Sequence, residues 1–448
     1  MRRSLPHIRL FVGFALLAAL APGVALAQGR SISFIRDAEI EGTIRDYATP
    51  IFSVAGLGAE AVRIHIINDP GLNAFVAGGQ RIFLNTGLLM RAQHPGQVMG
   101  VIAHETGHIS GGHLVRLQDA LAQARAKSIA AFILGAAAAV VTGEAGAMGA
   151  ITSGGSQIAT RELLQYSRTQ EASADAAAMS FLDGIGMSSR GLLEFFEILA
   201  QEETLRVGRQ SPYVRSHPLS RSRMVTVANH LTLSRYADVP PPADLVERHD
   251  RMRAKLLGFL RPLSDVLRIY PETDTSVPAR YAQSIALFRQ ARLEPALALI
   301  DSLIAEAPED PFFHELKGQM LFENGRVAAA AAPYEEAVRL APDEPLLRMS
   351  LAQVLIELND PALLPEAKGH LESALLEEPQ LGSAWRYLVV AHGRLGEKAE
   401  MSLAQAEFAL IQGDDDVARI MAERAESELP AGSPGWVRAQ DIQAQLDR

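Results

Sequence analysis

The sequence predicts a mostly α chain of the α+β class: an N-terminal domain with a small β-sheet, followed by an α-solenoid. Three observations carry this expectation. Alanine is abundant and β-branched runs are scarce, which favours helix. The short β-type runs lie early, between residues 64 and 84. The C-terminal part repeats itself with a 34-residue spacing, as in Ala307-Pro308-Glu309-Asp310 and Ala341-Pro342-Asp343-Glu344.

A chain of 448 residues has room for two or three domains. Hydrophobic residues at 48% and charged residues at 21% are ordinary globular proportions. The net charge of −10 argues against nucleic acid as a partner, because phosphate binding takes a surplus of Lys and Arg. Cysteine is absent, which excludes a disulfide framework, thiolate metal sites and a cysteine nucleophile. It also excludes a lipid anchor attached to a cysteine after a leader.

Taken in order, residues 1–27 read as a signal peptide. Arg2, Arg3 and Arg9 precede an apolar run from Leu10 to Leu20, and Ala25-Leu26-Ala27 is a small-x-small cleavage site. The run falls short of the ~20 residues of a spanning helix, though an uncut anchor is the alternative. Cleavage after Ala27 would place the mature chain in the periplasm of a two-membrane bacterium.

Residues 28–239 read as one domain. Ile64-His65-Ile66-Ile67 is a short β-type run, and Gly78-Gly79 splits the two apolar halves of Ala74 to Leu84, as a hairpin turn does. Val98 to His113, Thr160 to Leu182 and Gly191 to Leu205 have helical spacing. Between the first two, residues 128–155 are alanine- and glycine-rich and uncharged as far as Gly143. They read either as a packed helical hairpin or as a mobile flap in peripheral contact with a membrane.

Pro240-Pro241-Pro242 opens a linker, residues 240–277, with a basic helix from Arg248 to Leu260. That helix is expected to connect two domains and to keep its charged face in water. Residues 278–448 follow as tetratricopeptide-like repeats, roughly four helix pairs, with an irregularity at Asn359 to Pro365. Each pair has an apolar face it cannot bury alone, so the pairs stack and form a surface suited to peptide or protein.

The chemistry-bearing motif is His104-Glu105-Thr106-Gly107-His108. Residues four apart share a helix face, so two imidazoles can grip one zinc ion there and leave positions open. Glu105, beside them, can serve as general base for water at the metal. Zinc takes a third protein ligand. His113 misses the spacing of a third histidine by one residue, since position 114 is Leu114, and it reads as a polar residue past the helix end. The alternative is a carboxylate from a later helix, and Glu171 is the candidate, with Asp175 one turn on to hold a ligand histidine from behind.

The chain resembles the M48 family of peptidases. HExxH at His104–His108 pairs with ExxxD at Glu171–Asp175. Asn73-Ala74-Phe75 through Gly78-Gly79 to Thr86-Gly87-Leu88-Leu89, Tyr166-Ser167-Arg168, and Ser216-His217-Pro218-Leu219 with Arg221 and Arg223 also fit. The resemblance is strongest to a periplasmic subgroup that carries a C-terminal tetratricopeptide domain and enhances outer-membrane assembly. Gln97 departs from it, standing where many relatives carry an acidic residue. The resemblance implies a gluzincin-type zinc metalloendopeptidase. One Zn2+ would be held by His104, His108 and Glu171, with Glu105 as catalytic base and Asp175 behind a ligand. His217 would lie on a loop that reaches the metal, holding the enzyme off or steadying the transition state. Asn73, Ala74, Phe75, Val76 and Ala77 would pair with an extended substrate. The implied partners are unfolded or stalled outer-membrane proteins and the barrel assembly machinery. A chaperone-like adaptor with a self-inhibited peptidase domain is the competing expectation.

Overall fold

The computed structural model describes residues 33–116, 119–123, 126, 129, 167–205, 213–214 and 217–447. The expected signal peptide, the stretch 128–155 apart from Ile129, Tyr166 and Ser216 lie outside the described residues.

The N-terminal part opens with β1 (Phe34–Ile35) and α1 (Ala38–Val54). Asp37 caps α1 by accepting from the Ile40 N–H, and Glu39 and Glu41 sit in its positive first turn. Pro50 stands inside this helix, a position proline disfavours. Next come β2 (Arg63–Ile67), β3 (Ala74–Ala77) and β4 (Arg81–Asn85). The four strands form one sheet in the order β1-β2-β4-β3, with β2 and β4 parallel and the outer pairs antiparallel. The expected hairpin joins β3 to β4. Gly78 and Gly79 take φ of 58° and 94°, left-handed values that explain the glycine pair.

Helices α2 (Thr86–Arg91) and α3 (Pro95–Ser110) follow. Pro95 suits the first turn of α3, where its missing N–H is no loss. Every residue from Pro95 to Gly107 is buried, so α3 is the axis of the domain rather than a surface helix. Helical residues 167–184 (α4), α5 (Arg190–Leu205) and α6 (Arg221–Leu233) complete this part. Ile66, Ile82 and Leu84 of the sheet share one core with Ile44 and Ile51 of α1, Val98 and Ile102 of α3, and Phe195 of α5.

The basic helix is α7 (Ala243–Leu260): Arg248 is exposed, but Arg251 and Lys255 are not in water. Lys255 is 1% exposed and His249 0%. This corrects the expectation of a solvated connector. Met252, Leu256 and Leu257 belong to the N-terminal core while Ala254 belongs to the first repeat core, so α7 is shared by both. Its charges meet acids that lie far away in sequence. Lys255 Nζ lies 2.8 Å from Asp37, 3.3 Å from Glu39 and 3.2 Å from Glu315. Arg251 pairs with Glu39 at 2.7 Å and with Asp310 at 3.1 Å, and its guanidinium covers the Phe313 ring at 4.4 Å. The Tyr281 hydroxyl donates to Glu39 at 2.7 Å.

After α8 (Leu263–Ile269) the chain runs through five helix pairs, one more than expected. They are α9 (Val277–Arg289) with α10 (Leu293–Glu306), α11 (Pro311–Glu323) with α12 (Val327–Leu340), and α13 (Pro345–Glu357) with α14 (Leu364–Glu377). Then come α15 (Gly382–Leu395) with α16 (Lys398–Gln412) and α17 (Asp415–Glu428) with α18 (Pro434–Leu446). The irregularity at Asn359 is a left-handed residue, φ 57°, followed by a single 3-10 turn at Pro361–Leu363. The array packs on the start of α1: Ala38 is buried among Leu347, Leu351 and Leu355 of the repeat core, and Arg36 pairs with Glu378 at 2.7 Å.

Candidate metal centre

Two glycines bring the site together. A Cβ on Gly107, inside the HExxH run, would stand 2.8 Å from the Ala174 carbonyl oxygen on α4. A Cβ on Gly100 would stand 2.8 Å from the Leu192 backbone nitrogen on α5. The bare backbone of α3 therefore lets α4 and α5 approach to main-chain contact. Ala174 lies between Glu171 and Asp175, so the Gly107 contact delivers both carboxylates to the histidine face of α3.

His104, His108, Glu171 and His217 each aim one donor atom at a common point, all within 4.8 Å of one another. His104 Nε2 and His108 Nε2 are 3.1 Å apart, and Glu171 lies 3.4 Å from each. Tetrahedral zinc with bonds of ~2.0–2.1 Å sets its donors about 3.3–3.4 Å apart, so these residues fit such an ion. The donor chemistry fits as well. Burial would raise the Glu171 carboxyl, but hydrogen bonds from His104, His108 and His217 push it far below the usual carboxylate range. Burial lowers His108 and favours the neutral imidazole that a metal needs. Both oxygens of Glu105 are buried with no hydrogen-bond partner. A buried carboxylate left unmatched is costly and marks a place reserved for a ligand.

A second layer holds the first. Asp175 Oδ1 lies 2.8 Å from His104 Nδ1, fixing the ring so that Nε2 points inward. Burial opposes charge on His104, but Asp175 and then Glu171 raise it to about 9. Arg223 of α6 grips Asp175 with two bonds of 2.6 and 2.7 Å and reaches Glu171 at 2.8 Å. It also donates to the Pro218 carbonyl at 3.2 Å, which ties the His217 segment to the same hub.

His217 Nδ1 stands 3.1 Å from Glu171 and 3.4 Å from His104 Nε2, in the position a fourth donor would take. Its other nitrogen is 3.5 Å from Glu105. Tyr213 stacks on it with ring centroids 4.7 Å apart. His113, read from sequence as a polar residue past the helix end, is buried. Its Nδ1 lies 3.0 Å from Nδ1 of His108, the ring nitrogen that faces away from the donor cluster. Burial, then the neighbouring charges of His108 and Arg116, lower it to about 4, so it stays a neutral acceptor. A Cβ on Gly111 would run into the His113 ring at 2.4 Å, so that glycine is what seats it. A cavity of about 170 Å3 opens at this point, with Glu105, His108 and His217 on one side and Phe75, Val76 and Leu114 on the other.

Residues 35–230 match the family model of peptidase family M48, and residues 281–345 match a tetratricopeptide repeat model. The N-terminal domain belongs to peptidase family M48. Among similar proteins, the beta-barrel assembly-enhancing protease of Yersinia pestis is 23% identical over 82% of this chain and 75% of its own length. The protein of the same name from Escherichia coli (strain K12) is 22% identical over 82% of this chain and 75% of its own. Metalloprotease LoiP of Escherichia coli (strain K12) is 28% identical over 42% of this chain and 71% of its own. The chain is a metalloendopeptidase, and the expectation of an M48 domain followed by tetratricopeptide repeats is borne out.

Reading the sequence left three residues of this M48 site without a role: His113, Arg223 and Tyr213. For His113 a signal existed, the glycine pair Gly111-Gly112 before it, which lets the chain turn back toward His108. For Arg223 the signal was its place after Ser216-His217-Pro218-Leu219, which fitted the family without giving it a role; for Tyr213 there was none, because it meets the site from a segment remote from the motif.

Proposed function

We propose that this protein is a zinc-dependent endopeptidase of the periplasm. It degrades misfolded or unassembled outer-membrane proteins and assists their assembly. The observation that carries this reading is the meeting of His104, His108 and Glu171 at tetrahedral spacing beside a Glu105 carboxylate that makes no hydrogen bond.

In this reading His104, His108 and Glu171 hold the zinc, one ion per chain. When bound, zinc supplies Lewis acidity, which polarises a peptide carbonyl and brings water within reach of deprotonation near pH 7. Glu105 takes the proton from water and returns it to the leaving amine. Asp175 fixes the His104 ring, and Arg223 fixes Asp175. The free edge of β3, with Asn73 just before it and Ala74 to Ala77 within it, takes the substrate as an added strand. The periplasmic setting rests on the leader-like N-terminus and on relatives named for barrel assembly. Among the described residues no helix is long and apolar enough to cross a membrane. The repeats would dock the barrel assembly machinery.

A second reading has its own support. His217 sits where a substrate carbonyl or water would have to enter, 3.1 Å from Glu171. In that reading the resting chain is a self-inhibited peptidase that acts chiefly as a chaperone-like adaptor. One experiment separates the two. Unfolded barrel protein is incubated with the wild type and with Glu105→Gln and His217→Ala, and zinc is measured in each. The first reading expects cleavage by the wild type, and zinc without cleavage in Glu105→Gln. The second expects a silent wild type that His217→Ala awakens. Purified protein without any divalent metal would end both.

A further inference from the structure

The outer face of the sheet carries a row of rings that the metal centre does not use. His65 on β2, Phe83 on β4 and Phe75 on β3 are direct cross-strand partners. His65 and Phe83 stack with centroids 5.1 Å apart and planes 24° apart. Phe83 and Phe75 stack at 5.0 Å and 13°. Phe34 on β1 continues the row at the far end, 5.7 Å from His65, and is 49% exposed. The alternate residues Ile66, Ile82 and Leu84 point the other way and fill the core, so the rings are not core residues by another name. Burial and the nearby Arg81, Arg36 and Arg63 lower His65, so its ring stays neutral and stacks as an aromatic.

The row ends at Phe75 because β3 is the last strand of the sheet among the described residues. Phe75 also lines the cavity that holds Glu105 and His108. A chain adding to the free edge of β3 would lie one strand spacing away, about 4.8 Å. That distance matches the ring separations already in the row. Only one residue of the added chain would face Phe75, whichever way that chain runs. Its neighbours on the same face, two residues to either side, would meet Asn73 and Ala77, which offer no ring.

We propose that this row selects the substrate: the β3 edge takes an extended peptide whose aromatic side chain stacks on Phe75 and lengthens the ladder by one ring. The inference rests on the strand-addition reading above and gives it a substrate class, unfolded segments with an aromatic residue at one fixed place. Stacked aromatic pairs add to what apolar burial alone supplies, so phenylalanine should exceed leucine at that place by about three- to tenfold in affinity.

The test uses the full mature chain carrying Glu105→Gln and a set of labelled ten-residue peptides. The peptides are identical except for one phenylalanine moved through a leucine background. Fluorescence anisotropy gives each Kd, and the wild type is assayed for cleavage of the same set. A single favoured phenylalanine position is expected. Phe75→Leu should bring its advantage to about one, and Phe75→Tyr should keep it. No favoured position overturns the ladder, and so does a preference that survives Phe75→Leu. A favoured position in binding without cleavage by the wild type would sink the peptidase reading and leave the ladder standing. Cleavage without preference would do the reverse. Sedimentation that shows a dimer, dissolved by Phe34→Ser, with no peptide preference, would assign the rings to a second copy instead and also overturn the proposal.

Discussion

Two buried clusters of charge are treated in opposite ways. At the joint between the M48 domain and the repeats, Lys255 and Arg251 of α7 are matched by Asp37, Glu39, Glu315 and Asp310. At the metal centre, four donors lie within 4.8 Å of one another, and the carboxylate of Glu105 makes no hydrogen bond, with His217 Nε2 3.5 Å away. At the joint each charge meets an opposite charge, though Arg251 Nε is left without a hydrogen bond. The centre turns its donors on one another instead. Burial of ionisable groups therefore does not by itself identify a site; donors converging on one point beside a carboxylate without a hydrogen bond do.

The sharpest way to break this contrast is to make the orphan carboxylate neutral. Glu105→Gln should lower kcat by about 10²–10⁴-fold, the range of a lost general base, with the metal retained. The same change should leave thermal stability unchanged or raised, because a buried carboxylate without a hydrogen bond gives way to a neutral amide. A fall in melting temperature would show that Glu105 is held by the fold after all. Next in size is the joint. Lys255→Met keeps the stem and removes the charge, leaving Asp37 and Glu315 without that cation while Glu39 keeps Arg251. Breaking a buried pair in this way costs about 3–5 kcal/mol. Denaturant unfolding should show that loss, while the zinc content of the folded fraction stays at one per chain.

How legible these two regions were in the sequence differs for a physical reason. His104 and His108 lie one helical turn apart, so local geometry alone pairs them. Glu171 and Asp175 could be named as candidates from their chemistry and supported by a family resemblance but not placed, because the contact that brings them in is made by Gly107 against Ala174, two residues far apart in the chain. The joint was misread. Arg251 and Lys255 look like solvated charge on a basic helix, and their partners Asp37, Glu39 and Glu315 are spread from one end of the chain to the repeats. The repeats themselves were legible because each pair restates the last, so the period shows without any tertiary knowledge.

The third prediction tests whether the centre has a finished outer layer. His113 Nδ1 stands 3.0 Å from the outward Nδ1 of His108. With His108 Nε2 on the metal, its Nδ1 carries the proton and donates to His113. His113→Ala should weaken zinc binding by about 10–100-fold, the usual effect of losing such a partner. His113→Gln, which can still accept, should recover part of it. Competition with a chelator reads both. Equal affinity for wild type and His113→Ala would mean that the ring is only packing.

The smallest effect belongs to the joint and to pH. Burial raises Glu315, Lys255 offsets part of that, and Asp37 and Glu39 raise it again, to about 7. Its ordinary value is 4.5, so between those limits the folded chain holds a proton that the unfolded chain has released. The native state therefore binds more protons in that window, and this group's contribution falls as pH rises from 4.5 to 7. Glu344, near Arg45 and Glu41 of α1, is raised mainly by burial to about 7 and acts with the same sign. Glu39 is lowered by Arg251 and Lys255 against the pull of burial, and its opposite effect lies below that window. His249, lowered to about 4 by burial, works against the trend below its ordinary 6.5, so overall stability is a poor readout. The difference between wild type and Glu315→Gln isolates the group. The wild type should gain on the variant by about 1–2 kcal/mol as pH falls from 7 to 5, at roughly 1.4 kcal/mol per unit discounted for coupling to Lys255. A gap that stays constant across that range would mean Glu315 is ionised throughout. The joint would then hold three carboxylates on one ammonium with no shared proton.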